Sequence, residues 1–151
     1  MYFDLGSYYT REIAEEYAGE VEKLAFKLME LIALSSGLPS TSFDEFFKDH
    51  TSLVRLNHYP PCPSPDLALG VGRHKDSGGL TILAQDSVGG LEVRRKSDGE
   101  WIRVKPNPGA FIINIGDIVQ VYYAKDICIS SILCPNSLFI SPFMGCLKYQ
   151  S

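Results

Sequence analysis

The sequence predicts an α+β fold in which an amphipathic helix precedes a partial double-stranded β-helix, or jelly roll. Along residues 21–32 the apolar side chains recur at spacings of three and four, which is typical of a helix with one buried stripe. From residue 52 the period changes to two, and short apolar runs alternate with segments rich in Gly, Pro, Asn and Asp. Short strands separated by turns favour an antiparallel barrel or jelly roll.

The composition indicates a single small domain and excludes several classes of function. The chain has 151 residues, a formal charge of −4 and 45% hydrophobic residues. A nucleic-acid partner is not expected, because phosphate neutralisation needs clustered Lys and Arg. No apolar run is long enough to cross a bilayer and the first residues lack a signal-peptide pattern, so we expect a cytoplasmic protein without a membrane partner. The four cysteines include no C-x-x-C pair, which disfavours a zinc ribbon and predicts free thiols.

The first element is the helix, which we expect to end near Gly37, since Gly accepts the left-handed conformation of a helix C-terminus. Ser42 and Glu45 have the spacing of a capping box, which predicts a short second helix reaching Phe47. We therefore expect residues 1–50 to form a helical segment that packs on the barrel. The apolar stripe comprises Val21, Leu24, Ala25, Leu28, Leu31 and Ile32.

Six strands follow in the prediction, with turns at Ser97-Asp98-Gly99 and at residues 106–109. The predicted strands are Leu53–Tyr59, Leu80–Leu83, Leu91–Arg94, Trp101–Val104, Phe111–Asn114 and Ile118–Val121. The side chains expected in the barrel core are those of Trp101, Leu91, Val93, Phe111 and Ile113. Residues 122–151 contain no Arg, His or Glu and show neither alternation nor helical spacing, so we predict a divergent tail.

His74 and Asp76 are the candidate metal ligands. Residues i and i+2 of an extended segment project to the same face, so the imidazole and the carboxylate can chelate one ion together. Such a pair supplies two of the three ligands of a 2-His-1-carboxylate iron site. An isolated H-x-D also fits a solvated His and Asp beside a turn.

The motifs around this pair form one ordered series, and the series resembles the plant 2-oxoglutarate- and Fe(II)-dependent dioxygenases, the branch with flavonol synthase and the gibberellin oxidases. The resemblance covers about residues 10–121 and implies the isopenicillin N synthase-like fold. It also implies Fe(II) as cofactor, 2-oxoglutarate as co-substrate, and oxidation of a small hormone or specialised metabolite. The segments that carry it are 56–63, 67–70, 74–83, 88–93, 99–102 and 114–117.

The resemblance assigns roles to four residues and makes residues 51–121 a partial dioxygenase domain. It implies that His74 and Asp76 bind iron and that Asn57 and Tyr59 lie beside 2-oxoglutarate. The phenol and the amide are suitable hydrogen-bond donors to a carboxylate. For Tyr59, a barrel aromatic with a solvated hydroxyl is the alternative. No further catalytic residue is predicted.

The chain departs from the family pattern after Val121. Family members continue to a distal His and to an Arg-x-Ser pair that binds the far carboxylate of 2-oxoglutarate. Here no His follows His74 and no Arg follows Arg103, and the usual N-terminal portion is missing as well. We therefore expect a chain truncated at both ends, with impaired turnover. Loss of the final strands should open the barrel, with self-association through its exposed edge. A non-catalytic binding or regulatory module is the alternative.

Overall fold

The helical and strand-forming parts of the sequence separate between Asp49 and His50, where the chain divides into two units. The computed structural model describes residues 8–64, 67, 70–119, 132–134 and 140–148. Within these residues the first unit contains one helix, α1 (Tyr8–Ser35). The second contains the strands β1 (Thr51–His58), β2 (Val71–His74), β3 (Leu80–Leu83), β4 (Glu92–Arg94), β5 (Trp101–Arg103), β6 (Ile112–Ile115), β7 (Ile132–Cys134) and β8 (Ile140–Lys148).

The buried stripe of α1 runs through Ala25, Met29 and Ala33, which are spaced by four residues and are at most 5% exposed. Leu31 was expected in this stripe, but it is 52% exposed, because it lies two residues, or about 200° around the helix, from the buried Met29. Among the described residues, no helix combines the length and the apolar character needed to cross a membrane. The predicted packing of the first segment on the barrel stays a prediction.

The end of α1 forms as the sequence predicts. Gly37 takes a φ of +74°, a conformation that Gly adopts without steric conflict. The Leu38 N–H donates to the Ala33 carbonyl at 2.9 Å and the Gly37 N–H donates to the Leu34 carbonyl at 3.0 Å. This pair of bonds is the Schellman arrangement, which satisfies carbonyls at the end of a helix.

The predicted second helix was wrong, because residues 40–49 form turns. The Ser42 hydroxyl donates to the Pro39 carbonyl at 2.7 Å, which is a contact within a turn. The backbone N–H of Ser42 donates to the same carbonyl at 3.1 Å. The Phe43 and Phe47 side chains are buried in this unit, with ring centroids 6.2 Å apart.

The strands form two four-stranded sheets, and every pair within them is antiparallel. The first sheet has the order β1-β8-β3-β6 and the second has the order β2-β7-β4-β5. Five predicted strands correspond to β1, β3, β4, β5 and β6, with ends displaced by at most two residues. The predicted α+β class with a double-stranded β-helix is confirmed.

The expectation that the tail leaves the barrel without its final strands was wrong. β8 lies between β1 and β3 in the first sheet, and β7 lies between β2 and β4 in the second. Pro142 interrupts the alternation of β8, but it falls where the β1–β8 register shifts, opposite residues 55–57. β3 pairs only with residues 144–147 of β8, so the missing N–H of Pro142 breaks no bond to β3.

Two further predictions fail near β6. The strand expected at residues 118–121 is not formed, since residues 117–119 are helical and 120–121 lie outside the described residues. The chain leaves the sheet after Gly116, whose N–H still bonds in register to the Gly79 carbonyl, whereas the Asp117 N–H bonds out of register to the Asp76 carbonyl. Phe111 was expected in the core but is 40% exposed.

The core of the second unit joins the two sheets. Leu83, which ends β3, and Leu91, which precedes β4, form a buried cluster, and Tyr59, Val93, Val104 and Ile112 pack against it. Leu91 is 1% exposed, as the sequence predicts. Because the cluster takes side chains from both sheets, their inner faces meet here.

Candidate metal site

The candidate ligands lie on the connection between the two sheets. His74 is the last residue of β2, and Asp76 follows on the loop that leads to β3. The structure brings the two side chains together, with His74 Nε2 3.5 Å from Asp76 Oδ1. The His74 side chain is 35% exposed and that of Asp76 only 9%. A solvated His and Asp beside a turn therefore does not describe Asp76.

The His74 ring is oriented by its own strand. Its Nδ1 lies 2.9 Å from the Gly72 carbonyl oxygen. A carbonyl oxygen only accepts hydrogen bonds, so Nδ1 carries the hydrogen in this contact. In the neutral ring, Nε2 then keeps its lone pair and faces Asp76. This is the arrangement by which proteins prepare a histidine for a metal.

Two electron-rich atoms face each other at this point, since Asp76 Oδ1 carries negative charge and His74 Nε2 a lone pair. A cation between the two atoms, either a proton or a metal, stabilises such a pair. Metal–ligand bonds of about 2.1 Å on each side can span the observed separation. Imidazole nitrogen with carboxylate oxygen suits divalent iron. The residues present therefore fit a divalent metal as two neighbouring ligands.

The segment Asn114–Asp117 supports the loop of residues 75–79, which we call the ligand loop. We call Asn114–Asp117 the supporting segment. Asn114 Nδ2 lies 3.4 Å from Asp76 Oδ2. The Asp117 N–H donates to the Asp76 carbonyl at 2.8 Å, and the Gly116 N–H donates to the Gly79 carbonyl at 2.9 Å. These contacts are not predictable from the sequence pattern, although residues 114–117 are one of its motifs.

The remaining residues of the ligand loop contact the supporting segment or form a bend. Lys75 lies between the two ligands in sequence, and its Nζ is 3.5 Å from Asp117 Oδ1, where both side chains are about half exposed. Gly78 and Gly79 form a bend before β3. A Cβ at Gly116 would lie 1.8 Å from the Gly78 carbonyl oxygen, so only Gly fits there.

Asn57 and Tyr59 lie at the end of β1, and both side chains are half-buried. Tyr59 packs against the cluster of Leu83 and Leu91. Thr81 shares the inner face of β3 with Leu83 and pairs with Asn114, which contacts Asp76. The packing of Tyr59 suits a barrel aromatic, and the predicted place of Asn57 and Tyr59 beside 2-oxoglutarate stays a prediction.

A third protein ligand is not found in the described part of the chain. No group of three or more His, Cys, Asp or Glu side chains lies within reach of one metal ion there. The chain contains His50 and His58 besides His74, and the His58 side chain is outside the described set. His74 and Asp76 therefore form a two-ligand site within these residues.

Comparisons with known proteins give a consistent result. The profile of the 2OG-Fe(II) oxygenase superfamily matches residues 50–129. Gibberellin 20 oxidase 2 of Oryza sativa subsp. indica is 50% identical over 105 residues, which are 70% of this chain and 26% of that protein. Jasmonate-induced oxygenase 2 of Arabidopsis thaliana is 46% identical over 114 residues, 74% of this chain and 30% of that protein. The chain thus spans between a quarter and a third of these relatives.

Solved structures agree with the sequence comparison. JOX2 in complex with 2OG, Fe and JA has a TM-score of 0.81 and 35% identity, with 93% of this chain and 43% of that chain covered. The 2-oxoglutarate complex of AtDAO1, a dioxygenase for auxin oxidation from Arabidopsis thaliana, has a TM-score of 0.83 and 34% identity, covering 96% and 55%. The predicted double-stranded β-helix and the predicted Fe(II) and 2-oxoglutarate are confirmed for the family.

Proposed function

Because the chain belongs to the 2OG-Fe(II) oxygenase superfamily, we propose that it forms the iron-binding part of an oxygenase acting on a small hormone or specialised metabolite. The observation that carries this proposal is the Asp76 carboxylate, only 9% exposed, facing His74 Nε2 at 3.5 Å. The substrate class is supported by relatives named for gibberellin and jasmonate. In the proposed reaction the substrate gains one oxygen atom of O₂, while 2-oxoglutarate takes the other and leaves as succinate and CO₂.

His74 and Asp76 have the binding role in this proposal. Fe(II), when bound, supplies the centre at which 2-oxoglutarate and O₂ react. The Gly72 carbonyl fixes the ring of His74 so that Nε2 faces the metal position. Asn57 and Tyr59 donate hydrogen bonds to the co-substrate, and the cluster of Leu83 and Leu91 beside Tyr59 excludes water. Each polar contact is then stronger than it would be in bulk water.

The domain assignment belongs to the same proposal. Residues 51–121 provide the four site residues, residues 1–50 form the helical segment, and residues 122–151 supply β7 and β8. We propose a cytoplasmic location, where the free Cys62 thiol stays reduced.

An anaerobic titration of the chain with Fe(II) and 2-oxoglutarate tests the proposal. Chelation of Fe(II) by the oxo acid should produce a visible charge-transfer absorption, which His74→Ala should abolish. His50→Ala is the matched control and should retain the absorption. Added imidazole should strengthen the signal, because it can occupy a coordination position that the protein leaves open. Absence of the absorption from a chain that melts cooperatively contradicts the metal site.

A non-catalytic binding module is the second candidate, and the two-ligand site favours it. Within the described residues the metal has no third protein ligand, and even a disturbed supporting group typically lowers affinity or activity 10–100-fold. A module of this kind would show the charge-transfer absorption without releasing succinate in air. It would also be free to self-associate through the edge strands of its sheets. Succinate release with each round of substrate oxidation would exclude this candidate.

A further inference from the structure

We infer that Asn114 is a positioning residue that holds the Asp76 carboxylate so that only Oδ1 faces the metal position. The inference rests on the proposed function, since it assigns a purpose to a contact beside the proposed iron ligands. Among its described interactions Asn114 has no contact with His74, so its effect on the metal position passes through Asp76.

The two oxygens of Asp76 have different neighbours. Oδ1 faces His74 Nε2 at 3.5 Å, whereas Oδ2 faces the Asn114 amide nitrogen at 3.4 Å. The carboxylate is 9% exposed, so water offers it little alternative hydrogen bonding. An amide N–H donated to Oδ2 therefore fixes the rotation of the carboxylate. The consequence is a carboxylate prepared for monodentate binding through Oδ1.

Asn114 is itself held firmly in the sheet. β6 pairs with β3 residue for residue, and Asn114 lies opposite Thr81, which is 1% exposed. Two residues later, the backbone of the supporting segment bonds to the ligand loop at Asp76 and Gly79. Because these bonds flank the side-chain contact, a shift of Asn114 relative to Asp76 requires β6 to move as a whole.

The ion pair of Lys75 with Asp117 does not fix the orientation of the Asp76 carboxylate. Lys75 and Asp117 are about half exposed at a separation of 3.5 Å, so solvent screens their attraction. Among the described contacts, neither side chain reaches the Asp76 carboxylate oxygens. Among the described contacts, the orientation of the carboxylate is therefore set by the amide of Asn114.

Loss of the amide donor should free Oδ2 and allow the carboxylate to rotate. A supporting hydrogen bond of this kind typically changes metal affinity 10–100-fold. We expect Asn114→Leu, which is similar in size but has no donor, to weaken Co(II) binding by about that factor. Co(II) serves as an air-stable probe whose absorption spectrum also reports the ligand geometry.

The experiment compares Co(II) titrations of the whole chain and its variants. Asn107→Leu is the matched control, because Asn107 lies in the exposed turn before β6 and should leave the affinity unchanged. In an Asp76→Ala background, Asn114→Leu should cause no additional loss, since its effect passes through the carboxylate. A merely structural role would instead lower the melting temperature and the affinity equally in both backgrounds. Asn114→Ala repeats the test if the leucine variant does not fold.

A second readout needs no metal. The side-chain amide resonance of Asn114 in an NMR spectrum of the metal-free chain should shift when Asp76 is replaced by Ala. Equal Co(II) affinity of wild type and Asn114→Leu overturns the inference and leaves the proposed function standing. Failure of the wild type to bind Co(II) defeats the proposed function, and the amide resonance then decides whether Asn114 orients Asp76. An unchanged resonance overturns the inference.

Discussion

The two sheets of the second unit are stabilised in different ways. In the first sheet, β3 and β6 pair in register over Leu80–Leu83, and all four residues of β3 are buried. In the second sheet the described pairs are shorter, and the β2–β7 register shifts between Val71 and His74. The turn of the β4–β5 hairpin has polar contacts, such as the 2.7 Å pair of Arg95 and Asp98.

The candidate site takes one ligand from each environment. His74 ends an irregular strand of the second sheet, and a hydrogen bond within that strand orients its ring. Asp76 is bonded to the supporting segment at the end of β6, which belongs to the first sheet. The carboxylate side of the candidate site therefore depends on packing between residues distant in sequence, whereas the imidazole side depends on local structure. Variants on each side should therefore differ in their effects.

The largest effect is expected from Gly116→Ala, since the new Cβ would lie 1.8 Å from the Gly78 carbonyl oxygen. The ligand loop and β6 must separate to make room, which should lower the free energy of unfolding by about 3 kcal/mol. Gly72→Ala in β2 is the matched control, because no described atom lies within 4 Å of its Cβ. It should change stability by less than about 1 kcal/mol. Equal urea midpoints for the two variants would contradict the inference that the carboxylate side depends on distant packing and the imidazole side on local structure.

A smaller effect, of opposite sign, is expected from Gln85→Met just after β3. Within the described part of the chain, both amide atoms of Gln85 are buried and have no hydrogen-bond partner. Replacing the amide by a thioether of similar length removes unsatisfied polar atoms, which should raise the free energy of unfolding by about 1 kcal/mol. Urea denaturation measures this change. A loss of stability would show that the amide is satisfied in solution.

The ion pair between Lys75 of the ligand loop and Asp117 of the supporting segment is exposed to solvent, and its contribution to stability can be measured. Lys75→Met removes the ion pair with Asp117, whose partners are about half exposed, and should reduce stability by about 0.2–1 kcal/mol. The loss should diminish in high salt, because ions screen exposed charges. Lys105→Met, in the exposed turn before β6, should show no such salt dependence. Thermal melts at two salt concentrations would compare them.

The smallest effect is a pH dependence of the β4–β5 turn. The Glu100 backbone N–H, donated to Asp98 at 3.0 Å, and the neighbouring Arg95 hold the pKa of the Asp98 carboxyl below its ordinary value of 3.8. A lowered pKa means that the charged form stabilises the turn above pH 3.8, and that this contribution is lost as the pH falls through the lowered pKa. Asp98→Asn should flatten the acid titration of the Glu100 amide resonance. If the Glu100 amide resonance of Asp98→Asn titrates as in the wild type, Asp98 is not the group that causes the titration.

Several features that depend on neighbouring residues were predictable from the sequence, although the capping-box spacing of Ser42 and Glu45 did not produce a helix. The stop of α1 at Gly37 and the turn at Asp98 and Gly99 formed as expected, because each depends on residues within five positions. The approach of His74 to Asp76 is of the same kind, since it follows from alternation along an extended segment. Much of the site prediction therefore depended on local geometry.

Features that depend on distant partners were not predictable. β7 and β8 lack a clear alternation of their own, and each is placed by the strands on both sides of it. The contact of Asn114 with Asp76 likewise requires knowledge of the β3–β6 register. The exposure of Phe111 shows the same limit, because an apolar residue beside a strand has no assigned face until the register is known.

The Asn114–Asp76 contact has a consequence for the time at which the site is completed during folding. The contact joins residues 38 positions apart, so a long loop must close before it forms. Long-range strand pairing of this kind is slow compared with turn formation. A nascent chain that has been synthesised only as far as β3 therefore carries both ligands but not the residue that orients the carboxylate. If the proposed function is correct, the site becomes complete only when β6 docks, so metal binding would follow a late step in folding.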